Sequence, residues 1–336
     1  MVPGAPDAAR WFRDTPRGTL GVPLVERIVH RALPCRRVVN IEPLSGGLRN
    51  CNLKLQLADP PEAIVLRVYE HDPSLCQKEV DLIRLVAPTV PVSGLIHAEP
   101  RGWEEVPPFV LMRYIEGASF QELKHSGDFE AIAQAACAVG ETLAAIGRVR
   151  FTKSGWLAPG PAVTGPLLEG ANALPRFVDL CLASPHLERR VPAALRDAIH
   201  GLIWRSAPEI ALLGDEACLV HGDFGNRNVL VRGVGGQWTV AAVLDWEFAV
   251  SGSPLADIGH FLRYEKNSRP LVEPHFANGY LRAGGKLPPN WRQLARLVDL
   301  AALCESLTHD YLPDTVVAEL LELIAATAED RDPHVT

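Results

Sequence analysis

Two polar clusters that adjoin short apolar strands decide how this sequence is interpreted. The first is Leu219-Val-His-Gly-Asp-Phe-Gly-Asn-Arg-Asn-Val-Leu-Val231, and the second is Val243-Leu-Asp-Trp-Glu247. Short apolar runs of this kind are typical of buried strands, and side chains at the ends of such strands converge at one edge. Asp223, Asn228 and Asp245 are therefore the first candidate functional residues of the chain.

The spacing of these residues is typical of phosphoryl transfer. Asn228 follows Asp223 by five residues, which is the separation of the catalytic Asp and Asn in protein kinases. Asp223 would accept the proton of an acceptor hydroxyl, while Asn228 and Asp245 would hold Mg²⁺ against phosphates. A hairpin turn with Asp and Asn is the competing interpretation, since both residues favour turns. Two correctly ordered loops around one hairpin favour the kinase-like site.

These motifs resemble those of the aminoglycoside phosphotransferase and choline kinase superfamily, a group of protein-kinase-like small-molecule kinases. The family motif His-Gly-Asp-x-x-x-x-Asn is similar to residues 221–228, and Asp-Trp-Glu at 245–247 takes the place of the kinase Asp-Phe-Gly. Gly252-Ser-Pro-Leu-Ala-Asp257 resembles the family's Gly-x-Pro-x-x-Asp. The resemblance implies that Asp223 is the catalytic base, and that His221 and Asp257 support its loop.

The order of predicted elements indicates an α+β, bilobal protein-kinase-like fold, with a small antiparallel β lobe and a larger, mainly helical lobe. We expect a flexible tail over 1–18, a β-rich nucleotide-binding lobe over 19–113, a hinge over 114–118, and a helical lobe with the catalytic loop and acceptor site over 119–336. Capping signals predict one helix start at Asp72-Pro73 and another at Asn290, with Gln293 at capping-box spacing.

A charged pair is predicted inside the β-rich lobe. Glu79 lies on the apolar stripe of the helix after Pro73, where burial without a partner would be costly. Arg67 is the predicted partner because it shares a strand face with Val65 and Tyr69. In the resembled family this strand presents a Lys that contacts phosphates, so Arg67 is a departure that retains the charge. A carboxylate exposed at the edge of the stripe is the alternative.

The nucleotide-binding residues are predicted from a glycine turn and from the resemblance. The turn Ser45-Gly-Gly-Leu-Arg-Asn50 would let backbone N–H groups approach phosphates, although Gly-Gly between strands is also typical of a plain hairpin. The resemblance implies an adenine-binding hinge in which Met112 gates the pocket and the backbones of Arg113 and Ile115 bind the purine. The predicted set is Leu44, Ser45, Gly46, Gly47, Asn50, Arg67, Glu79, Met112, Arg113, Ile115, Leu230 and Leu244.

Composition and net charge disfavour several classes of protein. The chain has 40 acidic and 33 basic residues and a net charge of −7, which disfavours nucleic-acid and membrane-surface binding. No apolar run approaches the ~20 residues of a membrane span, and the first residues lack the apolar core of a signal peptide, so we expect a cytoplasmic protein. The seven cysteines are dispersed singly, with no ligand spacing for a structural metal.

The acceptor is predicted only as a class. Three acidic residues would form an acidic wall suited to a polycationic aminoglycoside, whereas three basic residues fall on the cleft side of the resembled site; the two sets are Asp299, Glu305 and Asp310, and Arg263, Lys266 and Arg269. Solvated helix faces, which bind no ligand, are the favoured interpretation of both sets. We therefore predict a Mg²⁺-dependent kinase that transfers the γ-phosphate of ATP or GTP to a hydroxyl of a small metabolite or antibiotic. The departure at Arg67 motivates the alternative, a nucleotide-binding pseudokinase or adaptor. The sequence does not indicate an oligomeric state.

Overall fold

The computed structural model describes residues 20–44, 50–104, 106–265, 268–310 and 312–329. The predicted tail over 1–18 lies outside these ranges, as do Ser45, Gly46 and Gly47 of the predicted phosphate turn and Lys266 of the acceptor region. The chain divides into two compact units. The first comprises the described residues up to Gly117 together with Pro159–Pro161 and Ala241–Glu247, and the second comprises the rest.

The first unit is built on one antiparallel sheet of five strands. These are β1 (Arg37–Pro43), β2 (Cys51–Ala58), β3 (Glu62–Val68), β4 (Leu95–Glu99) and β5 (Phe109–Arg113), in the order β1-β2-β3-β5-β4. Buried and half-buried residues alternate along β2, as the two-residue period of a strand with one face on the core requires. Helix α1 (Val22–Ala32) buries Val25, Ile28 and Val29 in the same core.

Helix α2 (Leu75–Val86) begins two residues later than its capping signal predicts. The Oδ1 atom of Asp72 accepts hydrogen bonds from the N–H and the Oγ–H of Ser74, and it therefore closes a turn before the helix instead of capping it. Seven of the twelve residues of α2 are buried, and two of these, Lys78 and Glu79, carry ionisable side chains. The buried face of this helix is thus wider than the predicted apolar stripe.

The second unit is mainly helical. Its helices are α3 (Phe120–Ser126), α4 (Phe129–Ile146), α5 (Ala173–Leu182), α6 (Pro185–Arg190), α7 (Ala193–Arg205), α8 (Ala207–Ala211), α9 (Leu255–Phe261), α10 (Glu273–Arg282), α11 (Trp291–Ser306) and α12 (Asp314–Ala328). The predicted cap of α11 is wrong, because the side chain of Asn290 makes no cap and its Nδ2 donates to Glu209.

Helices α4 and α10 form the closest helix contact of this unit. A Cβ atom added at Gly140 would lie 2.1 Å from the carbonyl oxygen of Phe276, and one added at Gly279 would lie 2.0 Å from that of Cys137. Glycine is therefore required at both positions for the two backbones to approach. Helix α4 has the length and mean hydropathy (1.3) of a membrane span, but 61% of it is buried inside the protein, as in the core helix of a globular unit.

Short strands complete the second unit and place the first polar cluster. Strands β7 (Gly155–Ala158) and β8 (Ala162–Gly165) join β9 (Cys218–Val220) and β12 (Val250–Gly252) in a sheet of order β8-β7-β12-β9. A second sheet has the order β11-β10-β6, from β6 (Ala118–Ser119), β10 (Val229–Val234) and β11 (Gln237–Val243), of which residues 241–243 belong to the first unit. The cluster at 221–228 is the connection between β9 and β10. The antiparallel sheet of the first unit and the helices of the second confirm the α+β class.

Candidate active site

The predicted ion pair of the first unit is present. Strand β3 directs Arg67 toward α2, and its Nε atom lies 3.1 Å from Oε2 of Glu79. The two side chains are only 6% and 2% exposed. An isolated buried charge would be strongly destabilising, so each of these residues requires the other.

Arg67 also contacts two further carboxylates. Its Nη2 lies 2.6 Å from Oδ1 of Asp245 and 3.2 Å from Oε2 of Glu247. Burial lowers the pKa of Arg67, but the surrounding carboxylates, Asp245 first, raise it well above its usual value. A planar guanidinium has five N–H donors, whereas a Lys ammonium is a compact point charge with three. The three-carboxylate environment therefore gives a physical reason for arginine at this position.

Helix α2 holds the Asp-Trp-Glu segment through its backbone. The Trp246 N–H donates to Oε1 of Glu79 over 3.2 Å, and Nζ of Lys78 donates to the carbonyl oxygen of Glu247 over 2.8 Å. Burial lowers the pKa of Lys78 to about 8, although the nearby Glu247 and Glu79 oppose that shift. The hydroxyl of Tyr69 donates to Oε2 of Glu79 in a short hydrogen bond. Sequence reasoning assigned no role to Lys78 or Glu247.

Asp245 is the accessible carboxylate of this cluster. Its side chain is 24% exposed, whereas those of Glu79 and Glu247 are each 2% exposed. Its φ of +65° lies in the left-handed region, which is uncommon for a residue with a side chain. Asn50 fixes the neighbouring Glu247 through a 2.6 Å hydrogen bond from Nδ2 to Oε2. Burial, followed by the charge of Asp245, raises the pKa of Glu247 to about 7.

In the second unit, Asp257 of α9 holds the start of the loop at 221–228. Its Oδ2 accepts from the His221 N–H over 2.7 Å and its Oδ1 from the Gly222 N–H over 2.9 Å. Burial raises the pKa of Asp257 to about 7, although these two hydrogen bonds lower it. Gly222 has a φ of +82°, and a Cβ there would lie 2.4 Å from the carbonyl oxygen of Phe248. The motif's glycine is thus required by the backbone.

The same loop fixes the carboxylate of Asp223. Asn228 Nδ2 donates to Oδ2 of Asp223 over 2.8 Å and to its carbonyl oxygen over 2.9 Å. The Asp223 N–H donates to Nδ1 of His221 over 3.2 Å, and His221 is fully buried. The Asp223 side chain is 30% exposed, so it is held in place yet reachable. Because Asn228 donates through its amide nitrogen, its amide oxygen is left as the predicted metal-binding atom.

The residues predicted to hold Mg²⁺ have suitable chemistry. Asp245 offers a partly exposed carboxylate oxygen and Asn228 an amide oxygen, and Mg²⁺ prefers such hard oxygen ligands. The described part of the chain contains no group of three or more His, Cys, Asp or Glu residues able to hold a metal ion. Mg²⁺ usually binds through one or two protein carboxylates together with substrate phosphates and waters.

The remaining predicted nucleotide contacts fall in both units. Leu44, Met112, Arg113, Ile115 and Leu244 are in the first unit, and Leu230 is in the second, on β10. Met112 is buried in β5 and Arg113 ends that strand. The Arg113 N–H donates to the carbonyl oxygen of Gly94 over 2.8 Å, and Ser93 Oγ donates to the Arg113 carbonyl oxygen. A purine contact at Arg113 would therefore use the second lone pair of its carbonyl oxygen.

One residue of the predicted acidic wall, Asp299, is paired with a cation. Arg263 binds both carboxylate oxygens of Asp299, from Nε over 2.9 Å and from Nη2 over 2.6 Å. Glu305 lies 3.5 Å from Nε2 of His309. Asp299 is therefore not available as a single negative charge for a cationic ligand.

Solved structures of aminoglycoside phosphotransferases share this fold. A thermostable mutant of aminoglycoside phosphotransferase APH(4)-Ia, in a ternary complex with AMP-PNP and hygromycin B, matches with a TM-score of 0.62 and 19% identity, over 93% of this chain and 99% of that chain. The GDP complex of wild-type aminoglycoside 2'-phosphotransferase-IIIa matches with a TM-score of 0.67 and 15% identity, over 91% and 98%. These likenesses confirm the predicted protein-kinase-like fold.

Two sequence comparisons extend this result. Acyl-CoA dehydrogenase family member 11 of Rattus norvegicus is 29% identical over 168 residues, which are 44% of this chain and 20% of that protein. The chain thus matches about a fifth of the length of this curated relative. A family model described as the phosphotransferase enzyme family matches residues 40–297, which is more than half of the chain.

Proposed function

The chain belongs to the phosphotransferase enzyme family, and from that premise we propose that it is a Mg²⁺-dependent small-molecule kinase with Asp223 as the catalytic base. The observation that supports this proposal most is that the Asp223 carboxylate is both fixed in position and accessible. Its carboxylate is fixed by Asn228 and 30% exposed, on a loop whose backbone Asp257 holds through two hydrogen bonds. A binding protein without transfer activity has no need of such a base.

In the proposed reaction, Asp223 accepts the proton of the acceptor hydroxyl as its oxygen attacks the γ-phosphorus of the nucleotide. The phosphorus bond to the bridging oxygen breaks, and the nucleoside diphosphate leaves. Asn228 and Asp245 would hold Mg²⁺, which supplies positive charge to the phosphates when bound. Arg67 and Glu79 position Asp245, because Arg67 contacts both carboxylates directly.

The donor is proposed to be ATP or GTP. The two structural relatives were solved with AMP-PNP and with GDP, an adenine and a guanine nucleotide respectively. A calorimetric titration with Mg²⁺–AMP-PNP and Mg²⁺–GMP-PNP on the same preparation would identify the preferred donor.

The acceptor is proposed to be a small molecule with a hydroxyl group, and not specifically a polycation. The pairing of Asp299 with Arg263 removes one negative charge that an aminoglycoside would need. A hydroxyl panel should therefore combine aminoglycosides, sugars, nucleosides and amino alcohols. Because the curated relative is named as an acyl-CoA dehydrogenase family member, hydroxyacyl-CoA compounds belong in the same panel. We also propose a cytoplasmic location, where nucleoside triphosphates are abundant and free cysteines, as found at seven positions, stay reduced.

The deciding experiment incubates the chain with γ-labelled ATP or GTP, Mg²⁺ and this panel. We expect label transfer to at least one acceptor, or slow transfer to water, and we expect Asp223→Asn to slow it about 10²–10⁴-fold. An adaptor or pseudokinase would bind nucleotide without transfer to any acceptor or to water in either chain. That result would overturn the proposal.

A further inference from the structure

His260 approaches the predicted base from the same helix that holds the loop. It follows Asp257 by three residues on α9, so the two side chains lie on one face of that helix. Asp257 binds the backbone of residues 221 and 222, and Nε2 of His260 lies 3.6 Å from Oδ1 of Asp223. Helix α9 therefore contacts both the backbone of this loop and the surroundings of its carboxylate.

The two oxygens of the Asp223 carboxylate have different neighbours. Oδ2 accepts the 2.8 Å hydrogen bond from Asn228, whereas Oδ1 is the oxygen that faces His260. A separation of 3.6 Å is too long for a direct hydrogen bond. It is short enough for one additional oxygen atom to contact both groups. The arrangement thus defines a position for a small oxygen-bearing group next to the base.

The imidazole of His260 is uncharged. Burial, reinforced by the positive charge of Arg263, lowers its pKa to about 3, although Asp299 opposes the shift. The geometry favours the tautomer with the hydrogen on Nε2, since a lone pair there would face a carboxylate oxygen, which is only an acceptor. A neutral donor of this kind leaves the basicity of Asp223 intact, whereas an imidazolium would form an ion pair with it.

His260 is also held in place by the loop itself. A Cβ atom at Gly225 would lie 3.2 Å from Nε2 of His260, so the bare glycine backbone packs against the ring. The Gly225 N–H donates to the carbonyl oxygen of Asp223 over 2.8 Å. The position of the ring is therefore tied to the residue that carries the base.

We propose that His260 is an acceptor-binding residue, whose Nε2–H donates a hydrogen bond to the acceptor hydroxyl while Oδ1 of Asp223 takes the proton of that hydroxyl. This inference rests on the proposed kinase function. The hydroxyl O–H bond breaks, its proton passes to Asp223, and the oxygen forms the new bond to phosphorus as the nucleoside diphosphate leaves. The hydrogen bond from His260 orients the hydroxyl so that its proton points at the base.

Transfer to water tests this role before an acceptor is known, because water would occupy the hydroxyl position. We expect His260→Phe, which keeps a ring without a donor, to slow single-turnover Mg²⁺–ATP hydrolysis about 10- to 100-fold. Mg²⁺–ATP affinity should change by less than about threefold. His260→Gln restores an N–H donor and should recover part of the rate. His275→Phe, an exposed position on α10, is the matched control and should have no effect.

The outcomes separate this inference from the proposed function. Unchanged hydrolysis in His260→Phe, in a chain that Asp223→Asn inactivates, overturns the role of His260 alone. Where wild-type hydrolysis is no faster than that of Asp223→Asn, ¹⁵N NMR of the His260 ring decides the inference, while the acceptor panel decides the proposed kinase function. We expect a neutral Nε2–H tautomer from about pH 5 to about pH 9. An Nδ1–H tautomer, or titration within that range, overturns it.

Discussion

The two clusters of predicted functional residues are held by different interactions. Around Arg67, in the first unit, side chains hold side chains, because one guanidinium contacts the carboxylates of Glu79, Asp245 and Glu247. Around Asp223, in the second unit, most of the hydrogen bonds that fix the loop are donated by backbone N–H groups. Asp257 accepts two backbone N–H groups, and His221 accepts a third.

This difference predicts different responses to substitution. Removing one member of a buried ionic cluster leaves the other charges without compensation, so stability should fall. A loop held through its backbone keeps its conformation when an exposed side chain changes, so function should fall without loss of stability. Substitutions in the first cluster should therefore lower the stability of the fold, and substitutions of exposed side chains in the second should mainly lower activity.

The largest expected effect on stability is that of Arg67→Ala. Three carboxylates would lose their common partner, and we expect the free energy of unfolding to fall by about 3–5 kcal/mol. Arg67→Lys should lose less, because it keeps one positive charge. Chemical denaturation provides the measurement, with Arg27→Ala as control. Arg27 pairs with Glu104 at the surface, with side chains 52% and 72% exposed, and should contribute less than about 1 kcal/mol. A similar loss in both alanine variants would remove the contrast between the clusters.

The next largest expected effect is the pH dependence of stability that results from the buried carboxyl group of Asp257. Its folded pKa of about 7 lies above the ordinary value of 3.8, so the folded chain retains a proton that the unfolded chain releases earlier. Stability contributed by this group is therefore complete below about pH 4 and is lost as the pH rises toward about 7. Compared with Asp257→Asn, the wild-type chain should lose about 4 kcal/mol over that range. Parallel pH profiles of the two chains would contradict the buried state of Asp257.

The smallest effect is predicted for Tyr69→Phe. Glu79 would lose one hydrogen bond but retain the ion pair with Arg67 and the hydrogen bond from the Trp246 N–H, so we expect a loss of about 1–2 kcal/mol. Tyr114→Phe is the matched control, since it keeps the ring that lies under the Lys54 ammonium. If Tyr69→Phe were as destabilising as Arg67→Ala, the hydroxyl and not the guanidinium would be the centre of the cluster.

Features with a local sequence signal were predicted well. The Arg67–Glu79 pair follows from a strand face and a helix stripe, each visible within a few residues. The roles of Lys78, Glu247 and His260 were not predicted, because each depends on a partner far along the chain. Two predicted helix caps were wrong, because in each case the side chain of the capping residue bonds another partner. Asp72 accepts a hydrogen bond from the nearby Ser74, and Asn290 donates one to Glu209, which is distant in the sequence. A residue type that is typical of N-caps therefore does not by itself cap a helix.

The hairpin of β7 and β8 shows a second limit of the sequence. Its strands are four residues each and are surrounded by Gly and Pro, so the two-residue period of a strand is too short to recognise. The predicted roles of Ser45, Gly46 and Gly47 lie outside the described residues and remain predictions. The acceptor was not predictable, since it depends on which charges are paired, as the Arg263–Asp299 contact shows.

The most direct test of the account compares Asp223→Asn with Asp245→Asn by single-turnover transfer and by calorimetric titration of Mg²⁺–nucleotide. We predict that Asp223→Asn lowers transfer about 10²–10⁴-fold, while nucleotide affinity changes by less than about tenfold and unfolding is unchanged. Asp245→Asn should instead abolish the tightening of nucleotide binding by Mg²⁺. Near wild-type transfer in Asp223→Asn, or unchanged Mg²⁺ dependence in Asp245→Asn, would contradict the division of roles between the two clusters.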